Sequence, residues 1–152
     1  MDQHPVPGLS KIVTLRAYGA LPAASAWDAA PIEAFCPGFE RAVLYLAYRR
    51  AAAGGAVNLR VEVSPRTINL VGAPTDWYQT SLYSAAAVVA GADSSSRFQR
   101  EDLLYQATGA AVESWVYGPF DIAYGVARIR VAARETGAIA NPGSLEVIVC
   151  FY

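Results

Sequence analysis

Histidine is the side chain most often used to move protons near neutral pH, and this chain has one, His4, beside Pro5 in a short leading segment. Ser-His-Asp and Cys-His nucleophilic arrangements and multi-histidine metal sites therefore lack their central residue. Cys36 and Cys150 are isolated, without CxxC spacing, in apolar strand-like runs. They read as buried free thiols that pack as small hydrophobes, in preference to a disulfide or metal ligands. No GxxxxGK or GxGxxG loop is present to cradle a phosphate, and Gly54-Gly55 reads as a hairpin turn between flanking strands. Asp28, Glu33, Glu40, Glu62, Glu113 and Glu135 could supply the two carboxylates of a glycosidase, but no substrate-cleft pattern accompanies them. Glu135 directly follows a strand-like run, where a carboxylate braces the next loop by accepting backbone N–H groups or pairing with an Arg. Glu101-Asp102, beside Arg97 and Arg100, reads as a solvated or interface charge patch, and no D-x-D-x-D run marks a calcium loop. No catalytic, cofactor-binding or metal-binding residue is assigned.

In place of reactive groups the chain is rich in aromatics, with three Trp and nine Tyr. Such side chains line a core, a sugar platform or a protein interface, and core packing is expected to take at least half of them. Trp27, Tyr45, Tyr48, Trp77, Tyr78 and Trp115 are the interface candidates. Tyr45 and Tyr48 fall on opposite faces of one strand whose two sides are both apolar, so a loop or a neighbouring subunit is expected to cover its second face. Composition points the same way. Charged residues make up 16% of the chain, against about 25% in an average globular protein, too few to clothe a monomer in the usual manner. A net charge of −1 provides no basic footprint for nucleic acid. No run reaches the ~18 apolar residues of a membrane span, and residues 1–7 lack the basic and apolar regions of a secretion signal. The expectation is a protein neither membrane-inserted nor conventionally secreted.

These side chains must be positioned by strands. At 152 residues the chain can bury roughly two thirds of its unfolded surface in one core, and it divides into an amino-terminal arm, 1–10, and a single domain, 11–152. In Val57 to Val63 the apolar Val57, Leu59, Val61 and Val63 alternate with Asn58, Arg60 and Glu62, the period-two pattern of a strand with one wet face. Arg41 to Arg49, rich in β-formers, precedes it across Ala53-Gly54-Gly55-Ala56, and the two read as a hairpin. Gly125 to Ala133 and Ser144 to Tyr152 read as a second such pair across a turn-rich connector. Lys11 to Tyr18, Ile32 to Cys36, Thr67 to Val71, Trp77 to Tyr83, Phe98 to Ala107 and Glu113 to Tyr117 are further strand candidates. The sum is eight or nine strands in an all-β, two-sheet antiparallel sandwich of jelly-roll-like connection. At most one short helix is allowed, over Ser81 to Ala90 or Arg100 to Ala111, where Ala, Leu, Glu and Gln favour it.

Three stretches carry a resemblance: Arg41 to Tyr48 leading through Gly54-Gly55 to Arg60-Val61-Glu62-Val63-Ser64; Trp77-Tyr78; and Val126 to Gly137 followed by Asn141-Pro142-Gly143-Ser144-Leu145. Together, over roughly residues 40 to 152, they resemble β-sandwich virion proteins of tailed bacteriophages, in particular small head decoration (cement) proteins. The resemblance implies a protein made in the host cytoplasm that sits on the capsid exterior. It would bind between subunits of the major capsid protein, commonly as a homotrimer, with no cofactor and no catalytic residue. The arm with Pro5, Pro7 and Gly8 would extend onto a neighbour; it is shorter than many such arms, which leaves tail, connector and fibre positions open. The alternative reading is a carbohydrate-binding β-sandwich module that stacks sugar rings on Trp and Tyr. A carboxylate-dependent hydrolase stands third.

Ser144 to Tyr152 is almost continuously apolar, which calls for pairing within the sheet. Deleting residues 145–152 is expected to abolish the cooperative thermal transition followed by circular dichroism; a truncated chain that still melts cooperatively would show that this run is no integral strand.

Overall fold

The computed structural model describes residues 10–53, 55–79, 103–136 and 141–152. Nine strands run through them: β1 (Lys11–Ala20), β2 (Glu33–Phe35), β3 (Arg41–Arg49), β4 (Ala56–Ser64), β5 (Tyr78–Gln79), β6 (Leu103–Gln106), β7 (Glu113–Asp121), β8 (Arg128–Glu135) and β9 (Ser144–Phe151). The longest follow the alternation in their sequences. In β3, Ala42, Leu44, Leu46 and Tyr48 are buried while the residues between them face out, and in β9 Leu145, Val147, Val149 and Phe151 do the same. Period two puts one apolar set on a single side, and that side closes against the other sheet.

One sheet has the order β1-β9-β3-β7; the other has β2-β8-β4, with β5 and β6 both paired to β4. All pairings are antiparallel. β5 pairs with β4 at Glu62 and Val63 and β6 pairs from Ala56 to Leu59, so these two short strands share the edge position beside β4. Counted as one, they complete two four-position sheets, and successive strands change sheet at every step except from β4 to its own neighbours β5 and β6, which is the double Greek key of a jelly roll. The sheets share one core in which Leu15, Leu44, Leu59, Ile129, Val131, Val147 and Phe151 are buried. Each such side chain contributes about 1.5–3 kcal/mol by leaving water.

Both expected hairpins are corrected by this order. β3 and β4 lie in different sheets, as do β8 and β9. Each pair is consecutive, β-rich and joined by a Gly-containing connector, which is also how a chain crosses from one layer of a sandwich to the other. Local sequence does not distinguish the two outcomes, because in both the apolar set of each strand is buried. The expected strand at Thr67 to Val71 is instead a turn-rich loop. Asp76 Oδ1 accepts from Leu70 N at 3.0 Å and from Arg66 Nη1 at 3.2 Å, and Ser64 Oγ accepts from Arg66 N at 3.2 Å. These side chains satisfy backbone groups that a ladder would otherwise take. Of the candidates at Trp77 to Tyr83 and Phe98 to Ala107, the described parts form β5 and β6. No helix occurs among the described residues: β6 occupies part of Arg100 to Ala111, and Ser81 to Ala90 lies outside them. His4 and the rest of 1–9, Gly54, Arg97, Arg100, Glu101 and Asp102 also lie outside the described residues.

The two crossings meet at Glu135, the last residue of β8, which is 1% exposed. Its Oε1 accepts from Tyr48 Oη at 2.8 Å and from Ala51 N at 3.4 Å, and its Oε2 accepts from Gly143 N. The loop-bracing role read from the sequence is the one this carboxylate has. Burial first, then the hydrogen bond and charge of Glu135, raise the Tyr48 hydroxyl above the ordinary tyrosine range, which keeps it a donor. Glycine is required on both connectors: a Cβ on Gly143 would stand 2.1 Å from Arg49 O, and one on Gly55 would meet Glu135 Oε1 at 2.9 Å.

Glu135→Ala leaves the Tyr48 hydroxyl and the Gly143 N–H buried without an acceptor, and is expected to lower the unfolding free energy by about 3 kcal/mol in urea titration. Tyr48→Phe, which removes one donor and leaves Glu135 its two backbone donors, should cost about 1 kcal/mol. Equal losses would mean that the carboxylate does not gather the corner.

Candidate interaction surface

The outward faces of the two sheets differ in chemistry. On the five-stranded sheet, β8 turns Arg128, Arg130 and Arg134 outward and β4 turns out Asn58, Arg60 and Glu62, since these alternate with the buried Ile129, Val131, Ala133, Val57, Leu59 and Val61. Two tryptophans from flanking segments lie against these cations. The Trp77 ring is 4.8 Å from the Arg128 guanidinium carbon and 4.2 Å from that of Arg130; the Trp27 ring is 4.2 Å from Arg60 and 4.4 Å from Arg134. Each such contact contributes about 0.5–2 kcal/mol, more where water is excluded. Arg130 Nε donates to Glu62 at 2.6 Å. Arg128 donates to Arg66 O at 2.6 Å, Glu33 at 2.9 Å, Asn69 Oδ1 at 2.9 Å and Ser64 Oγ at 3.3 Å, so it ties the 66–77 loop to the sheet. The tip of that braced loop holds Ile68, Leu70 and Val71 largely in solvent, and Tyr124 is fully exposed on the β7–β8 connection.

The four-stranded sheet presents an apolar outer face. Register places Thr14, Ile148, Tyr45 and Val116 in one row across its strands, with Ile12, Cys150 and Val43 in the next. Ile12 is 70% exposed, Val116 58% and Tyr45 47%. A sheet face of this kind in a sandwich is normally polar, as β4 is on its own outer side. A depression of about 260 Å³ on this face is lined by Tyr45, Ala47, Ser114, Trp115, Val116 and Glu146. It is below the 300–1,000 Å³ range of small-molecule sites. So is the 240 Å³ depression between β1 and residues 28–32, which contains the Arg16–Asp28 ion pair.

The six aromatics expected at an interface thus separate into three groups. Tyr45 and Tyr78 are open to solvent. Trp27, Trp77 and Trp115 are half-buried against partners, Trp115 stacking on Tyr105 with ring centroids 3.7 Å apart. Tyr48, proposed with them from its strand, is fully buried and serves Glu135 instead; its parity with Leu44 and Leu46 was the available signal. Cys36 is buried as expected, and desolvation raises its thiol to about 11. Cys150 is a free thiol but not a buried one: its parity with Ile148 places it on the apolar outer face. Ile12, Val43, Val116 and Ile148 were not singled out in the sequence, because their exposure depends on which sheet their strands join.

Most of the carboxylates named as candidate catalysts have structural partners. Asp28 meets Arg16 and accepts from Ala133 N at 3.0 Å, Glu33 meets Arg128 and Glu62 meets Arg130. Glu113 closes the β6–β7 turn, accepting from Tyr105 Oη, from Thr108 N at 2.8 Å and Oγ1 at 2.9 Å, and from Gly109 N at 2.7 Å. Among the described residues no group of three or more His, Cys, Asp or Glu could hold a metal ion. No family model, curated protein or solved structure matches the chain.

The Tyr105 hydrogen bond, followed by the Gly109 and Thr108 donors, lowers the Glu113 carboxyl from 4.5 to about 2. A depressed carboxylate stabilises the fold above its unfolded pKa, and that contribution is lost as pH falls from about 4.5 towards 2. The loss of urea midpoint between pH 6 and pH 3 should therefore be smaller in Glu113→Gln than in the native chain. Parallel curves would remove Glu113 from the acid response.

Proposed function

We propose that this chain is a structural subunit of a bacteriophage particle, which binds between capsid subunits on the exterior of the shell and stabilises it without catalysis. The observation that carries the reading is the apolar outer face of the four-stranded sheet. Isolated exposed apolar residues need no explanation, but apolar side chains side by side on neighbouring strands, Ile148, Tyr45 and Val116 in one row and Ile12, Cys150 and Val43 in the next, mark a surface that meets another protein. The Ile68–Leu70–Val71 tip supports a second contact, because a loop already braced by Asp76 and Arg128 loses little freedom on docking. A subunit that clamps neighbours needs more than one such surface. The jelly-roll strand order agrees with the resemblance in the sequence and is common among capsid proteins, although lectins share it, so fold alone does not decide between them.

The carbohydrate-binding alternative draws less support. A sugar platform stacks the sugar ring on an open aromatic face, and of the tryptophans Trp27 and Trp77 each lie against two guanidiniums while Trp115 stacks on Tyr105; the open rings, Tyr45 and Tyr78, lie on different sheets and form no shared platform.

Cys150 provides a test with an internal control. In dilute isolated chain a maleimide should label Cys150 and spare Cys36. In purified virus particles from the source of the gene, mass spectrometry should find the chain at stoichiometric level with Cys150 protected. Tyr45→Arg should keep the fold and lower incorporation at least tenfold, since a charge on the apolar face must lose its water on docking. Absence of the chain from the particles would end the virion reading.

A further inference from the structure

The apolar face of β1-β9-β3-β7 carries two charges that no described residue pairs. Arg49 on β3 and Glu146 on β9 project from it, Arg49 level with Ser144 and Glu146 level with Ala47. Neither enters an ion pair with a described residue. At the opposite end of the face, Arg41 and Asp121 pair with each other at 3.2 Å. The apolar rows occupy the ground between.

We propose that the neighbour meeting this face is a second copy of the same chain, packed face to face about a two-fold axis that runs parallel to the strands between β9 and β3. The proposal rests on the assembly reading above and names the occupant of its apolar surface. A two-fold contact uses one patch twice, so that patch must complement itself. This axis lays β9 over the partner's β3 and β3 over the partner's β9. Ile148 then covers the partner's Tyr45, and Glu146 comes beside the partner's Arg49, twice over by symmetry. An axis across the strands would instead set Arg49 over the partner's Arg41, whose charge Asp121 already takes up, and leave Glu146 over the partner's Cys150 without a cation. Charge therefore selects one orientation of the pair.

Size agrees with a reversible pair. Four strands about 4.8 Å apart and roughly nine residues of about 3.3 Å each give roughly 550 Å² per copy. Two faces clear the roughly 1,000 Å² expected of a specific contact but not the about 1,600 Å² of a standard one. Sheets packed in this way lie about 10 Å apart with strands within about 30° of alignment. Cys150 then stands at the height of the partner's Cys150, one strand spacing aside, within the span of a short bis-maleimide.

The test uses the full chain. Light scattering over a concentration series should show the mass rise from 16.2 kDa to twice that value, and a short bis-maleimide should give a covalent two-chain product that Cys150→Ser abolishes. Glu146→Arg should weaken pairing at least about tenfold by setting like charges together. The swap Arg49→Glu with Glu146→Arg should restore it to within about threefold, with circular dichroism unchanged throughout. A constant one-chain mass, a three-chain mass without the Cys150 product, or a charge swap that fails to rescue would overturn the pair. If the isolated chain stays single while Cys150 is protected in particles, the pair is wrong and the assembly reading stands.

Discussion

Glu135 places a buried carboxylate where two crossings from sheet to sheet meet, and it accepts there from Tyr48, Ala51 and Gly143. A jelly roll needs its strands to alternate between layers, and each crossing leaves backbone N–H groups at a corner where no ladder can take them. One carboxylate with two oxygens satisfies donors from both crossings at once. It thereby holds β3, β4, β8 and β9 in register with one another, and these four strands are central to the two sheets. The close approach of Gly143 to Arg49 belongs to the same corner: a side chain there would hold the β8–β9 crossing away from the carboxylate.

With the corner closed, the two outer faces follow from strand parity. The face of the five-stranded sheet carries four arginines, and its half-buried tryptophans and carboxylates take up their charge within the chain. The face of the four-stranded sheet has no such cover among the described residues, and Ile12, Tyr45, Val116 and Ile148 fall in two adjacent rows because β9 sits between β1 and β3. One face is completed internally, while the other is suited to completion by a neighbour. The asymmetry gives the protein two chemically distinct sides.

The all-β class, the strands of strong alternation and the role of Glu135 were legible in the sequence, because period two and a carboxylate at a strand end are local properties. The apolar second side of the Tyr45 strand was legible for the same reason. Tyr48 was misplaced at an interface although its parity with Leu44 and Leu46 pointed inward. Nearly every residue of the Cys150 strand is apolar, and a run of that kind does not reveal which side is covered, so the outward position of Cys150 is not legible from it. The loop at Thr67 to Val71 has strand-forming residues but is held by Asp76, whose reach to Leu70 is set by the turn between them.

By itself, then, the sequence determined the class of fold, the in-and-out order of each strong strand and the scarcity of charge that leaves apolar surface over. Only the tertiary structure decided which strands pair. Crossing between layers and turning back within one bury the same side chains of each strand, so hydrophobic patterning is blind to the choice; contacts between residues distant in sequence, such as Tyr48 with Glu135, distinguish them. The apolar patch is likewise a tertiary product, because Ile12, Tyr45, Val116 and Ile148 become neighbours only once β1, β9, β3 and β7 lie side by side.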